Sequence, residues 1–266
     1  MSTEHEYEVL DYTGRSIATN DLKDLHQELK ELGAICLKPL PPYQVFVDDI
    51  TDAFQDKIIV IAKSNEKIVA FASTIFIPIA ALSDPVIHAG LTVIHPDHRR
   101  AFGVNHFLHF YLWKHLLGIY PRGFWTTTLA EVISTLVHMS KYGINIYPSP
   151  ERREPSELQL LIATEISSKH RSKMLISPDA EFDERRFIFK GSNNHEAARG
   201  FMKDRDDTKY WHRDKEVSAY FRSFLRSNEG DEVLQVGYMD PSYLTARIRE
   251  SKFKIELGYK QKSLKL

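Results

Sequence analysis

Residues Val86 to Leu117 read VIHAGLTVIHPDHRRAFGVNHFLHFYLWKHLL. The apolar and β-branched residues Val86, Ile87, Leu91, Thr92, Val93 and Ile94 predict a buried strand. A polar turn follows, His95-Pro96-Asp97-His98-Arg99-Arg100, and then Gly103. Val104, Phe107, Leu108, Tyr111, Leu112 and Leu116 recur after it at helical spacing. The unit is therefore strand, basic turn, glycine, helix. Amides left free at a helix start, with Arg99 and Arg100 beside them, form a seat for a phosphate or pyrophosphate. Guanidinium suits that task because it offers a phosphate two parallel donors.

On the N-terminal side, Glu6 to Tyr12 reads as a first strand with Tyr7 and Val9 inward. Asn20-Asp21 offers a cap for a helix carrying Leu22, Leu25, Leu29 and Leu32, which Gly33 would close. The proline-rich stretch Lys38 to Pro42 is extended loop, and a short helix is expected around Asp49 to Gln55. Ile58 to Lys63, the turn Ser64-Asn65-Glu66 and Ile68 to Ile77 form a hairpin signal that ends at Pro78. On the C-terminal side, Phe124 to Leu129 predicts a strand, Val132 to Tyr142 a helix closed by Gly143, and Ile144 to Tyr147 another strand.

Composition narrows the class. The chain has 266 residues, 42% hydrophobic and 27% charged, which describes a globular protein able to bury a sizeable core. The net charge of −1 leaves nothing globally basic to recruit nucleic acid or an anionic membrane. Cys36 is the only cysteine, so no intrachain disulfide is possible and a reducing, cytoplasmic location is expected. The acidic start MSTEHEYEVLDY does not open a signal peptide, and no apolar run reaches the ~18 residues of a membrane span.

Val93-Ile94-His95-Pro96, with Arg100-Ala101-Phe102-Gly103-Val104-Asn105, resembles motif A of the GNAT (GCN5-related) N-acyltransferases. The element order across residues 5 to 148 agrees with that family. The resemblance implies an α/β fold with a mixed, mostly antiparallel central sheet flanked by helices. It also implies acyl-coenzyme A, acetyl or longer, as co-substrate, with no metal. Leu91, Thr92 and Val93 would hold the pantetheine arm. Arg99, Arg100, Ala101, Phe102, Gly103, Val104 and Asn105 would hold the pyrophosphate. Two departures stand out: Pro96 to Gly103 is one residue longer than the family pattern, and Asn105 occupies a position usually small. The expected activity is acyl transfer to a primary amine of a small molecule or peptide. A fatty-acyl transferase acting on a peptide side chain and a CoA-binding regulator without turnover are the alternatives.

Amine acylation needs a base, because only the neutral amine attacks. His88, in the strand entering the motif, and Glu131, at the end of the next strand, are the candidates. The family's tyrosine acid, four residues before the glycine closing the following helix, is replaced here by Met139; Tyr142 is the nearest substitute. The aromatic helix residues Phe102, Phe107, Phe110, Tyr111 and Trp113 pack as core or, alternatively, line a tunnel for a long acyl chain. His95, His98, His106 and His109 lack the ligand pattern of a zinc site.

Residues 1–150 are thus expected to form the acyl-CoA-binding domain. Residues 151–266 are expected to be an α+β extension, acceptor-binding or a degenerate second GNAT-like unit. Within it, Ser156 with Leu158, Leu161, Ile162 and Ile166 predicts a capped helix. Arg186 to Lys190 is the candidate for the family's last strand, displaced by an insertion. Asp214 to Arg226 and Ser242 to Glu250 read as helices, and Val233 to Met239 and Phe253 to Leu257 as strands. The charged segment Lys203 to Arg213 reads as a solvated loop or as a contact for peptide or RNA.

Overall fold

A computed structural model describes residues 5–99, 103–139 and 142–246. The expected strand Phe253 to Leu257 and the end of the helix beginning near Ser242 lie outside them. The strands are β1 (Glu6–Asp11), β2 (Ile58–Ser64), β3 (Lys67–Ile77), β4 (Val86–Ile94), β5 (Phe124–Ala130), β6 (Ile144–Tyr147), β7 (Glu181–Asp183), β8 (Ile188–Lys190) and β9 (Glu232–Met239). The helices are α1 (Lys23–Cys36), α2 (Ile50–Phe54), α3 (Val104–Ile119), α4 (Ile133–Met139), α5 (Glu157–Lys169) and α6 (Lys215–Arg222), with short 3-10 turns between. All nine strands form one sheet in the order β1-β2-β3-β4-β5-β9-β8-β7, with β6 also paired to β9. Among the described residues only β4 and β5 run parallel, and the other pairs are antiparallel.

Both faces of the sheet are covered, and the alternation along β2 shows how. Ile58, Val60 and Ala62 point to the face where Leu108, Leu112 and Leu116 of α3 pack. Ile59 and Ile61 point to the other, against Leu29 and Leu32 of α1 and Phe54 of α2. A fully buried leucine contributes about 1.5–3 kcal/mol through removal from water, so the three leucines alone anchor α3 firmly. The hairpin turn forms because Asn65 and Glu66 both adopt positive φ (48° and 65°), as a tight turn matched to strand twist requires. Helix α5 starts where expected, with a complete capping box between Ser156 and Gln159.

Three expectations are corrected. Gly33 does not close α1; the helix runs on to Cys36, and Gly33 is buried where a Cβ would strike the Phe46 ring 2.5 Å away. Asn20-Asp21 lies in a 3-10 turn, and α1 carries no side-chain cap. The strand beside β5 is not Arg186–Lys190 but β9, which pairs with all of β5 from Phe124↔Met239 to Ala130↔Val233. The Ile188–Lys190 strand lies one position further out, against β9. The sheet therefore runs unbroken across the boundary expected at residue 150. Leu234 and Val236 of β9 pack under α5, and Val233 packs with α4 and α6.

Candidate active site

Two irregularities open the sheet at its centre. β4 and β5 are paired only at Ile87↔Thr126 and His88↔Thr127, after which the strands part. In addition, β4 carries an extra residue opposite β3, since Ala72 pairs with Thr92 but Thr74 with Ala89. Such a bulge sharpens local twist and interrupts the ladder. Gly90 stands at the bulge, with the Gln44 amide packed where its side chain would be. Beyond His88, β4 has no strand partner on its β5 side. A cleft of about 610 Å³ occupies the gap.

This mixed, mostly antiparallel sheet flanked by helices is the fold that the motif resemblance implies. A central parallel pair that splays after two residues, a bulge on the first of those strands and a glycine-led helix following it frame the cleft. No family model matches the chain, and no curated protein matches it. Among solved structures, ElaA of Escherichia coli aligns over 54% of this chain and 92% of its own, at 16% identity and a TM-score of 0.38. The loading GNATL domain of CurA from Lyngbya majuscula aligns over 90% and 99%, at 14% identity and 0.37. An aminoglycoside 6'-N-acetyltransferase complexed with coenzyme A aligns over 88% and 98%, at 10% identity and 0.36.

At the mouth of the cleft lie Arg99 and Asn105, both exposed. Arg99 Nε donates to the carbonyl of Ile94 at 3.1 Å, which fixes the side chain against the strand end. Gly103 caps α3 with φ +84°, the left-handed region, and a Cβ there would meet Phe107 at 2.9 Å. Both facts demand glycine. Gly103→Ala is expected to cost about 1–3 kcal/mol from backbone strain and to weaken CoA binding, read by urea midpoint and calorimetry. Leu91, Thr92 and Val93 line the cleft, whereas Val104 is buried beneath it in the α3 core. Arg100, Ala101 and Phe102 lie outside the described residues.

The three candidate acid–base residues have different surroundings. Glu131 is only 4% exposed and lines the cleft at the end of β5. Its Oε2 accepts from the Lys203 amide at 3.0 Å, while its buried Oε1 has no hydrogen-bond partner. Burial pushes this carboxyl up to about 7, and the charge of Glu232 adds to the rise. His88 also lines the cleft but is 2% exposed, hydrogen-bonded through Nδ1 to Thr127 Oγ1 at 3.0 Å, and burial lowers it to about 3. Tyr142 does not reach the cleft. It opens on a chamber of about 50 Å³ under α3 and α4, bonded to His106 Nδ1 at 2.7 Å, and burial pushes its hydroxyl up to about 12. That chamber adjoins the cleft at Gly90, Thr92 and Thr135.

Beyond the segment Lys203 to Arg213, sequence reasoning named none of the residues of the opposite wall. Tyr43 from the proline-rich loop and Asn193, Phe201, Lys203, Tyr210 and Glu232 from the C-terminal half also line the cleft. Glu232 is 8% exposed, accepts from Ser192 Oγ at 2.6 Å, and burial pushes it up to about 7. The segment Lys203 to Arg213 is not wholly solvated, since it supplies the amide that holds Glu131. Cys36 sits on the cleft wall, where its thiol donates to the Ile94 carbonyl. Among the described residues, no three His, Cys, Asp or Glu side chains are grouped to hold a metal, and no helix is long and apolar enough to cross a membrane.

Proposed function

We propose that this chain transfers an acyl group from a coenzyme A thioester to a primary amine. The observation that carries the reading is Glu131 Oε1, a buried carboxylate oxygen without a hydrogen-bond partner in the gap between the splayed strands. A buried acceptor with nothing to accept from is costly to the fold, of order 1–3 kcal/mol, and its retention points to a donor that arrives with the substrate. The cleft suits the donor: Arg99, the first turn of α3 and Asn105 form a polar mouth for the pyrophosphate, and Leu91 to Val93 offer strand edge to the pantetheine arm. Residues from the 151–266 half line the other wall, which supports acceptor binding there.

In this reading Glu131 takes a proton from the bound ammonium, and the neutral amine attacks the thioester carbonyl. A carboxylate titrating near 7 is matched to that task, whereas an imidazole near 3 is too weak a base. His88 instead positions Thr127 and the backbone where the strands part. Amides of β4 past the bulge face the gap and stabilise the developing oxyanion. The carbon–sulfur bond then breaks, the sulfur leaves as thiolate, and the nitrogen, cationic since the attack, releases its second proton to solvent. Tyr142, near 12, is a poorer proton donor than a thiol of ~8.5, so the thiolate is protonated from solvent.

The donor acyl group is short. Phe107 packs on Tyr7, Trp113 on Phe124, and Leu108, Leu112 and Leu116 on the sheet, so the aromatic helix is consumed in core contacts. The adjoining chamber of about 50 Å³ has room for roughly four water-sized groups. CoA, acetyl-CoA and decanoyl-CoA are compared by calorimetry, and thiol release is followed with a panel of amines. Acetyl-CoA is expected to bind at least as tightly as decanoyl-CoA and to release thiol only with an amine present. Absence of binding by any CoA species would overturn the assignment.

A further inference from the structure

One step past the last β5–β9 pair, Ala130↔Val233, the register sets Glu131 directly opposite Glu232. Side chains opposite each other across antiparallel strands share a face, with Cβ atoms about 5 Å apart. Both carboxyls are buried and both line the cleft. Like charges so placed destabilise a sheet unless a cation lies between or beside them.

The fold neutralises a buried carboxylate when its role is structural, and the neighbouring residue shows how. Asp231, 1% exposed, accepts from Arg226 Nη2 at 2.6 Å and Nε at 2.9 Å, and from the amides of Gly191 and Arg226. Glu232, next in the chain, accepts from the Ser192 hydroxyl instead. Glu131 has one amide. Lys203, which gives that amide, turns its ammonium to the carbonyls of Gly200 and Met202. Tyr43, which follows the proline-rich loop, and His88 from β4 line the cleft as neutral groups; the Lys203 ammonium and the Asp231 carboxylate act on Glu131 from a distance with opposite signs, and Arg99 stands at the mouth. Among the described residues, neither glutamate has a basic side chain within ion-pair distance.

We propose that Glu131 and Glu232 form a two-carboxylate seat and that the acceptor is a diamine, carrying a second cationic nitrogen a few bonds from the one acylated. This deepens the acyl-transfer reading and rests on it. Glu131 receives the proton lost by the reacting nitrogen, so it cannot also serve as a fixed counter-charge. Glu232 pairs with the nitrogen that stays charged throughout. The cross-strand spacing of about 5 Å calls for nitrogens three or four carbons apart.

The test compares 1,3-diaminopropane and 1,4-diaminobutane with propylamine and butylamine as acceptors of acetyl-CoA, alongside calorimetric binding of each amine to the protein alone. The diamines are expected to exceed the monoamines by about a hundredfold in kcat/KM, since a buried counter-charge is lost with the monoamine. In Glu232→Gln the ratio of diamine to monoamine kcat/KM should shrink to a few-fold, mainly through the KM of the diamine, whatever the change in the monoamine rate as Glu131 loses its charged neighbour. Transfer with equal efficiency to diamine and monoamine overturns the seat and leaves the transferase reading standing. Diamine binding that Glu232→Gln abolishes, without thiol release, upholds the seat and sinks the transferase. Absence of any diamine preference in both binding and turnover overturns the proposal.

Discussion

Glu131→Gln is expected to lower kcat/KM for acyl transfer about 10²–10⁴-fold at pH 8, the usual contribution of a positioned general base. Glutamine keeps the shape and still accepts from the Lys203 amide, but it cannot take the amine's proton. Coenzyme A affinity should not change, because the diphosphate end of the cleft is at Arg99 and α3. The wild-type rate should rise with pH through about 7, where the Glu131 carboxyl loses its proton, and this limb should vanish in the variant. Because Glu131 and Glu232 interact, the limb reports the pair. A variant that retained a third of the wild-type rate, or the same pH profile, would remove Glu131 from the mechanism.

Glu232→Gln is expected to make the protein more stable at pH 8 and no more stable at pH 4.5. The folded-state carboxyl titrates at about 7 and its ordinary value is 4.5. Between these values the folded chain holds a proton that the unfolded chain has released. Stability is therefore highest below 4.5, declines as pH rises to 7, and is flat beyond. The penalty at pH 8 is up to about 3 kcal/mol at 1.36 kcal/mol per pH unit, and the neutral glutamine avoids it. His88 works in the opposite sense, since it is lowered to about 3 from 6.5. Its neutral form favours the fold above 6.5, and that contribution is lost as pH falls toward 3. Between 4.5 and 6.5 the histidine offsets one of the two glutamates. Urea midpoints at pH 4.5, 6 and 8 measure the difference, and a variant no more stable than wild type at pH 8 refutes the burial cost.

Much of the fold was legible because its signals are local. The hairpin at Asn65-Glu66, the capping box Ser156–Gln159 and the strand–glycine–helix unit at Gly103 are each set by residues within a few positions. Strand adjacency was not legible. Ile188–Lys190 and Val233–Met239 are both short apolar runs, and nothing within either says which lies beside β5; that is decided by packing across the sheet. Gly33 was misread for a related reason, since a buried glycine admitting Phe46 looks the same in sequence as a terminator. At the site, Glu131 could be named from its place at a strand end. Glu232 could not, because a glutamate opening a strand is ordinarily a surface residue. The one signal that finds it is the pairing of Ala130 with Val233, which requires the sheet.

That pairing has a consequence for how the molecule is made. β5 and β9 are more than a hundred positions apart along the chain, and the loop that joins them must close before either can hold the other. A nascent chain that has reached residue 200 already contains the glycine-led helix and both candidate arginines, yet β5 still presents a bare hydrogen-bonding edge, open to pairing with other molecules. Only the arrival of β9 shields that edge, and the same event brings the second carboxylate to the first. The paired carboxylates and the shielded edge of β5 therefore appear together, only once β9 has been made.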